Sequence, residues 1–440
     1  MEWLGVVGIF AALVFFVVAA MRGYNVMITA PVTAAIIVLT NQLDFTQFYL
    51  TDPSNSYLAG IAAFVKNNLP IFVLSALFGK YIDASGAAKS IATTLMSKVG
   101  KNSAFGIVVG VGAVTALLTY GGISLFVVMF AIIPMARPLF KELNLPWHLF
   151  VASFALGACS FTMTMIPGAP SAANVVAANG CGVTVTSAPV LGIVGCVITI
   201  ALSLVYIKFA IKRAQAKGEV YDCKLPESTY STDNLPGIGK SIAPIIVLIG
   251  IILVGSAFKV PNIVYIAMIV GILLSAVLFH KNIGGNHKAV LGDGAKDSLG
   301  PTMFTAVAAG IGTIIAISSG FSVIQEAIFN MPGGPLVSGA VLTGVLGGVI
   351  GGGTAAIGIV MNNFVGTYLA TGVSAAAFYK IIEVAAGIGG ALPNAGSMFG
   401  MLNAMGLDHK SAYKHFFWIS IVAELVALIV MIALASFGIE

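Results

Sequence analysis

The chain has 440 residues, of which 58% are hydrophobic and 8% charged, with a net charge of +5 and a mean hydropathy of +1.02. A soluble domain of this composition would leave large apolar patches in water, and its scattered bases form no nucleic-acid surface. Apolar runs of about eighteen residues recur from end to end, the length that crosses a ~30 Å hydrocarbon layer, so the fold class is an all-α polytopic membrane protein.

In chain order, the first apolar run (3–21) begins behind Glu2 rather than a basic segment, which reads as a membrane helix and not as a signal peptide. Further helices are expected at 24–41 and 60–80. A re-entrant hairpin follows at 103–140, turning at TYGGIS (119–124), and then a broken helix at 148–187 interrupted by IPGAPSAAN (166–174). A helix at 189–207 completes the first half. The polar stretch 208–240 is a linker. Beyond it lie helices at 242–258, 262–279 and 299–318, a hairpin at 335–371 turning at GGGTAAIG (351–358), a broken helix at 375–405 around GGALPNAGS (389–397), and a last helix at 416–437. The cysteines Cys159, Cys181, Cys196 and Cys223 lack metal or redox spacing and read as small hydrophobes, and no cofactor or metal is expected.

The two halves carry the same landmarks in the same order. Leu69-Pro70 matches Gly300-Pro301, Ser85-Gly86 matches Ser319-Gly320, and the glycine and proline breaks pair likewise. The same offset separates Gly121 from Gly352 and Pro70 from Pro301. Residues 1–207 and 241–440 therefore read as two repeats, each with five spans and one hairpin, joined by a cytoplasmic linker at 208–240. An odd number of spans inverts the second repeat relative to the first. With the linker in the cytoplasm and both termini outside, every Lys and Arg except Lys66, Lys259 and Lys380 falls on the cytoplasmic side. The outer loop at 42–57 holds Asp44 and Asp52 and no base, as the positive-inside rule requires.

Four breaks at membrane depth need a reason, because unpaired backbone is tolerated there only inside protein or beside a watery cavity. Paired breaks in inverted repeats are the arrangement of a secondary transporter binding at the midplane, where half-helix N-termini suit a carboxylate. The candidate substrate residues are Gly121, Gly122 and Ser124 at the first tip, and Gly168, Ser171 and Asn174 in the first broken helix. The second half offers Gly352, Gly353 and Thr354 at its tip, and Asn394 and Ser397 in its broken helix. All are small and neutral, and the prolines Pro167, Pro170 and Pro393 hold the breaks open. Close helix packing is the competing explanation for such glycines. Among the intramembrane carboxylates, Glu383 is the candidate proton carrier, with Lys380 one turn away as either modulator or simple neutralising partner. Glu424 and Asp83 read as interfacial or scaffold charges.

The segments TYGGISLFVVMFAIIPMARPLF, FTMTMIPGAPSAANV and LFGKYIDASGAAKSIA resemble the gluconate permease (gluconate:proton symporter) family, and the resemblance spans essentially the whole chain. It implies the ion transporter superfamily fold: a scaffold, a mobile transport domain with two hairpins, a homodimer, and elevator-like alternating access. It also implies proton-coupled import of a hydroxylated carboxylate across the bacterial inner membrane. Val127 stands where the sugar-acid members carry a glutamate, and the more apolar hairpin is similar to the branch handling short acids such as 3-hydroxybutyrate.

Sodium coupling on the same fold is the alternative, and an anion channel is a further rival, although no ring of charge is visible. An enzyme is not expected. The five histidines (His148, His280, His287, His409, His415) all lie near cytoplasmic ends without an i, i+4 pair, and no GxxxxGK[ST] segment supports an ATP-driven pump.

Overall fold

The computed structural model describes all residues except 1, 23, 98–102, 124, 226–234, 259, 330 and 394, and every regular element among them is helical. Helices α1 (Glu2–Met21) and α2 (Val26–Thr40) pack on one another, and the Asn25 side chain caps α2 by accepting the Met27 N–H. A π-helical turn at Thr46–Thr51 leads to α3 (Tyr57–Ala84), whose first turn is capped by Ser56. After the Ser85-Gly86 turn comes α4 (Ala87–Met96), a short amphipathic helix. The first hairpin is α5 (Ala104–Tyr120) and α6 (Leu125–Glu142). The first broken helix is α7 (Leu149–Ala158), α8 (Phe161–Thr164) and α9 (Ala172–Cys181), and α10 (Pro189–Ala216) ends the half.

The second half follows the same order. It has α11 (Ile238–Ala257), α12 (Ile263–Leu278), α13 (His287–Ile317) and the short α14 (Ser319–Phe329). Its hairpin is α15 (Gly334–Ile350) followed by α16 (Gly353–Asn363) and α17 (Val365–Ala370). Then come α18 (Ala375–Gly390) and α19 (Gly396–Ala404). The last span is built from α20 (His409–Phe416), a π-helical turn at Phe417–Ala423, and α21 (Glu424–Ser436). The expectation had no element between the third span and the hairpin of either half. The structure inserts α4 and α14 there.

Helices α3 and α13 form the central and most extensive contact. They approach closely because small residues meet: a Cβ on Gly60 would stand 2.3 Å from Thr313 Oγ1, and one on Gly310 would stand 2.7 Å from the Tyr57 ring. Around this pair the contacts come in matched sets. Helix α2 packs on α13 and α12 on α3, α14 packs on α1 and α4 on α11, and α5 meets α7 as α15 meets α18.

The outer surface is apolar in stripes. On α12, Ile266, Ile269, Leu273 and Val277 are exposed at helical spacing, and on α10 so are Val190, Ile193, Val197, Val205 and Phe209. In water such stripes would be a large penalty, whereas facing lipid they cost nothing. Among the described residues, five helices or helical runs are long and apolar enough to cross a membrane by length and composition: Tyr57–Ala84, Pro189–Ala216, Ile238–Ala257, His287–Ile317 and His409–Ser436.

The chain leaving α10 doubles back along the first half before it reaches α11. Residues 219–225 are tied down by Trp147 N–H to Asp222 Oδ1 (3.0 Å), Tyr221 N–H to Asn144 Oδ1 (3.0 Å) and Arg137 Nη2 to the Leu225 carbonyl (2.9 Å). Leu225 also lies against Gly406 after α19, and Trp147 Nε1 donates to the Met405 carbonyl at 2.8 Å.

Candidate functional site

The first tip and the first break are built against each other. Gly122 turns the hairpin at φ +82°, a backbone that favours glycine, and a Cβ there would stand 3.0 Å from Pro170. Tyr120 OH donates to the Pro167 carbonyl at 3.1 Å, closing the end of α5 onto the break. Ser171 is the N-cap of α9, accepting the Asn174 N–H at 3.2 Å, while Asn174 Nδ2 donates back to the Ala169 carbonyl at 2.6 Å. Gly122 is thus brought against the break that carries Ser171 and Asn174, whereas Gly121 faces Ile245 and Gly168 faces Ile252 and Leu253 of α11. Ser124 lies outside the described residues.

The second tip meets α18. The N-cap of α16 is Gly352, which offers no side chain, so among the described residues no side-chain cap satisfies the first N–H groups of α16. A Cβ on Gly353 would stand 2.6 Å from the Ala386 carbonyl, and one on Gly390 would stand 2.7 Å from Gly353 N. Gly352, Gly353 and Thr354 therefore sit over the C-terminal turns of α18, just before the second break. Ser397, on α19, is exposed and is not drawn into this contact. Asn394 lies outside the described residues.

Helix α18 links the two sets. Its side chains Tyr379, Lys380 and Glu383 are fully buried. Lys380 Nζ lies 3.0 Å from Glu383 Oε2 and also donates to Tyr379 OH at 3.1 Å and to the Thr164 carbonyl, at the end of α8, at 3.4 Å. Tyr379 OH donates to Asn174 Oδ1 and to the Val185 carbonyl. The lysine and the glutamate are thus welded to the first break, about 200 residues earlier in the chain. Glu383 Oε1 accepts no hydrogen bond among the described residues.

Glu424 belongs to the same locus. It opens α21 immediately after the π-helical turn, is only 1% exposed, and its Oε2 has no hydrogen-bond partner among the described residues. A Cβ on Gly387 would meet that oxygen at 3.4 Å and Thr164 Cγ2 at 2.9 Å. Residues 380, 383 and 387 share one face of α18, so Glu424 faces the stripe that carries the ion pair. The sequence reading took Glu424 and Asp83 as interfacial or scaffold charges; the structure buries Glu424, which excludes an interfacial position, while Asp83 is exposed. Tyr379 was not singled out in the sequence. A hydroxyl beside a lysine in an otherwise apolar helix was the available signal.

A second polar chain lies at the linker side. Glu219 Oε2 is 2.8 Å from His148 Nε2, His148 Nδ1 is 2.8 Å from His415 Nε2, and His415 Nδ1 is 3.0 Å from Tyr206 OH. One proton arrangement satisfies every contact: each neutral imidazole donates once and accepts once, ending on the carboxylate. The hydrogen bond from His148 holds the Glu219 carboxyl below its usual range, so Glu219 is charged at neutral pH.

No protein-family model matches the chain. Its fold is similar to that in the crystal structure of the Alcanivorax borkumensis YdaH transporter, described as having an unusual topology, with a TM-score of 0.59 at 16% identity over 87% of this chain and 88% of that one. In sequence it is 31% identical to YxjC of Bacillus subtilis, an uncharacterized transporter, across 97% of this chain and 98% of that protein. At that identity and coverage, the chain belongs to the transporter family of YxjC, and it is a membrane protein with a transport function.

Proposed function

We propose that the protein is a secondary active symporter that imports a small hydroxylated carboxylate, of the gluconate or 3-hydroxybutyrate class, together with protons. The observation that carries this reading is the fully buried Lys380–Glu383 pair hydrogen-bonded to the first break, since an intramembrane ion pair is costly and is retained where charge moves. The uncapped start of α16 and the capped start of α9 supply N–H groups and partial positive charge for a carboxylate.

The matched packing of α1–α4 and α11–α14 supports two inverted repeats around a scaffold, with the hairpins and broken helices as a transport domain moving in elevator fashion. Membership of the gluconate permease family, a homodimer and a bacterial inner-membrane location belong to the same reading. Sodium coupling is its rival on the same scaffold, and the unpartnered oxygens of Glu383 and Glu424 suit a cation as well as a proton.

Proteoliposomes test this directly. Labelled 3-hydroxybutyrate or gluconate should accumulate under an inward proton gradient without sodium. Glu383→Gln should abolish that uphill uptake while retaining exchange of labelled for unlabelled substrate. Coupled uptake by the double variant Lys380→Met/Glu383→Gln, or a strict sodium requirement in the native protein, would overturn the assignment.

A further inference from the structure

At the linker-side end of the last span, a pocket of about 110 Å³ opens between α10 and the α20 segment. Tyr206, Phe209, Arg213 and Lys217 line one side, at the three- and four-residue spacing that puts them on a single face of α10. Lys414 and Trp418 line the other. The floor is the Glu219–His148–His415 chain.

The charges do not balance. Three bases surround the pocket and one carboxylate answers them. Glu219 is already committed, with Oε2 held by His148 and Oε1 3.8 Å from Lys217. Neither Arg213 nor Lys414 reaches a carboxylate at ion-pair distance among the described residues. The histidines bring no further demand, because every ring nitrogen is satisfied within the chain. Like charges gathered around one cavity repel, and an anion seated among them removes that repulsion.

The surroundings say which kind of anion. Trp418 is 47% exposed and stacks on Tyr206 at 5.9 Å between ring centroids, and Phe209 beside it is 58% exposed. An amphipathic tryptophan and tyrosine at the end of a span mark headgroup depth. From Phe209 the exposed stripe on α10 continues through Val205 to Val197, a track for an acyl chain leading straight from the charged pocket.

We propose that this pocket binds the phosphate of an anionic phospholipid headgroup, with Arg213 and Lys414 as its main contacts and Trp418 at the glycerol level. Its lining includes none of the residues proposed to hold substrate or proton, and it does not depend on what is carried.

The test uses the purified full-length protein in detergent, titrated with phosphatidylglycerol or with phosphatidylcholine, and read by thermal shift and by native mass spectrometry. Phosphatidylglycerol should raise the melting temperature and remain bound, with phosphatidylcholine much weaker. Arg213→Gln and Lys414→Gln should each weaken the lipid effect roughly fivefold, the value of one base near an anionic surface. Both side chains are at the surface, so the melting temperature without added lipid should be unchanged. Glu219→Gln keeps an acceptor for His148 and removes the competing negative charge, so it should strengthen the effect. Equal shifts in the wild type and the Arg213→Gln/Lys414→Gln double variant would overturn the proposal. So would an equal shift with inorganic phosphate, which would assign the pocket to a soluble anion.

Discussion

Lys380 and Glu383 have no solvent exposure, and each would cost several kcal/mol to bury alone. Their mutual contact and the added bonds to Tyr379 and the Thr164 carbonyl offset that cost without making the pair a net gain over apolar side chains. The expected outcome of a melting series follows from this asymmetry. Lys380→Met strands a buried carboxylate and should destabilise the protein by about 3–5 kcal/mol, whereas Lys380→Met/Glu383→Leu should cost far less. A double variant as unstable as the single one would mean that the pair is structural. The sequence made the i, i+3 spacing of these two residues legible, together with their isolation in an apolar run. It did not reveal the Tyr379–Asn174 bond, which joins positions 205 apart through tertiary packing alone. Nor did it place Glu424, whose direction depends on a π-helical turn. That turn carries an extra residue relative to the α-helix, so it rotates everything after it about the helix axis.

At the scale of elements, glycine and proline carried most of the information. The breaks at 121–122, 165–171, 351–352 and 391–393 lie where Gly-Gly and Pro interrupt apolar runs, because neither residue type favours a continuous helical ladder there. The short helices α4 and α14 were less legible, being too brief to register as spans. Each docks on the first helix of the opposite half, α4 on α11 and α14 on α1. The first tip also touches α11: a Cβ on Gly121 would lie 2.7 Å from Ile245 Cγ2. If the hairpin slides against the scaffold, a Gly121→Cys/Ile245→Cys bridge should arrest transport under oxidation and release it with reductant. Full transport in the oxidised, cross-linked protein would rule out sliding at this contact.

For the whole molecule, the proposed orientation rests on charge: with residues 208–240 in the cytoplasm, the positive-inside rule puts nearly all the bases at the cytoplasmic helix ends. The expected outcome is checked by cysteine labelling in intact cells with a membrane-impermeant maleimide. Ser54→Cys, exposed in the loop before α3, should react, and Gly218→Cys, exposed after α10, should react only once the membrane is opened. The reverse pattern would invert the topology. The repeated landmarks are the basis for proposing two paired halves. The close contact of α3 and α13 was not legible in the sequence, because it rests on which faces of the two helices carry small residues at matching heights.

The stretch at 219–225 is fastened to α6, to the start of α7 and to the turn after α19, rather than hanging between the halves. Covalent continuity beyond Leu225 therefore adds little to what non-covalent contacts already hold. A gene cut just after that residue would yield two polypeptides, the first carrying its own clasp for the second. Co-expressed, the two polypeptides should assemble through that clasp into one transporting protein.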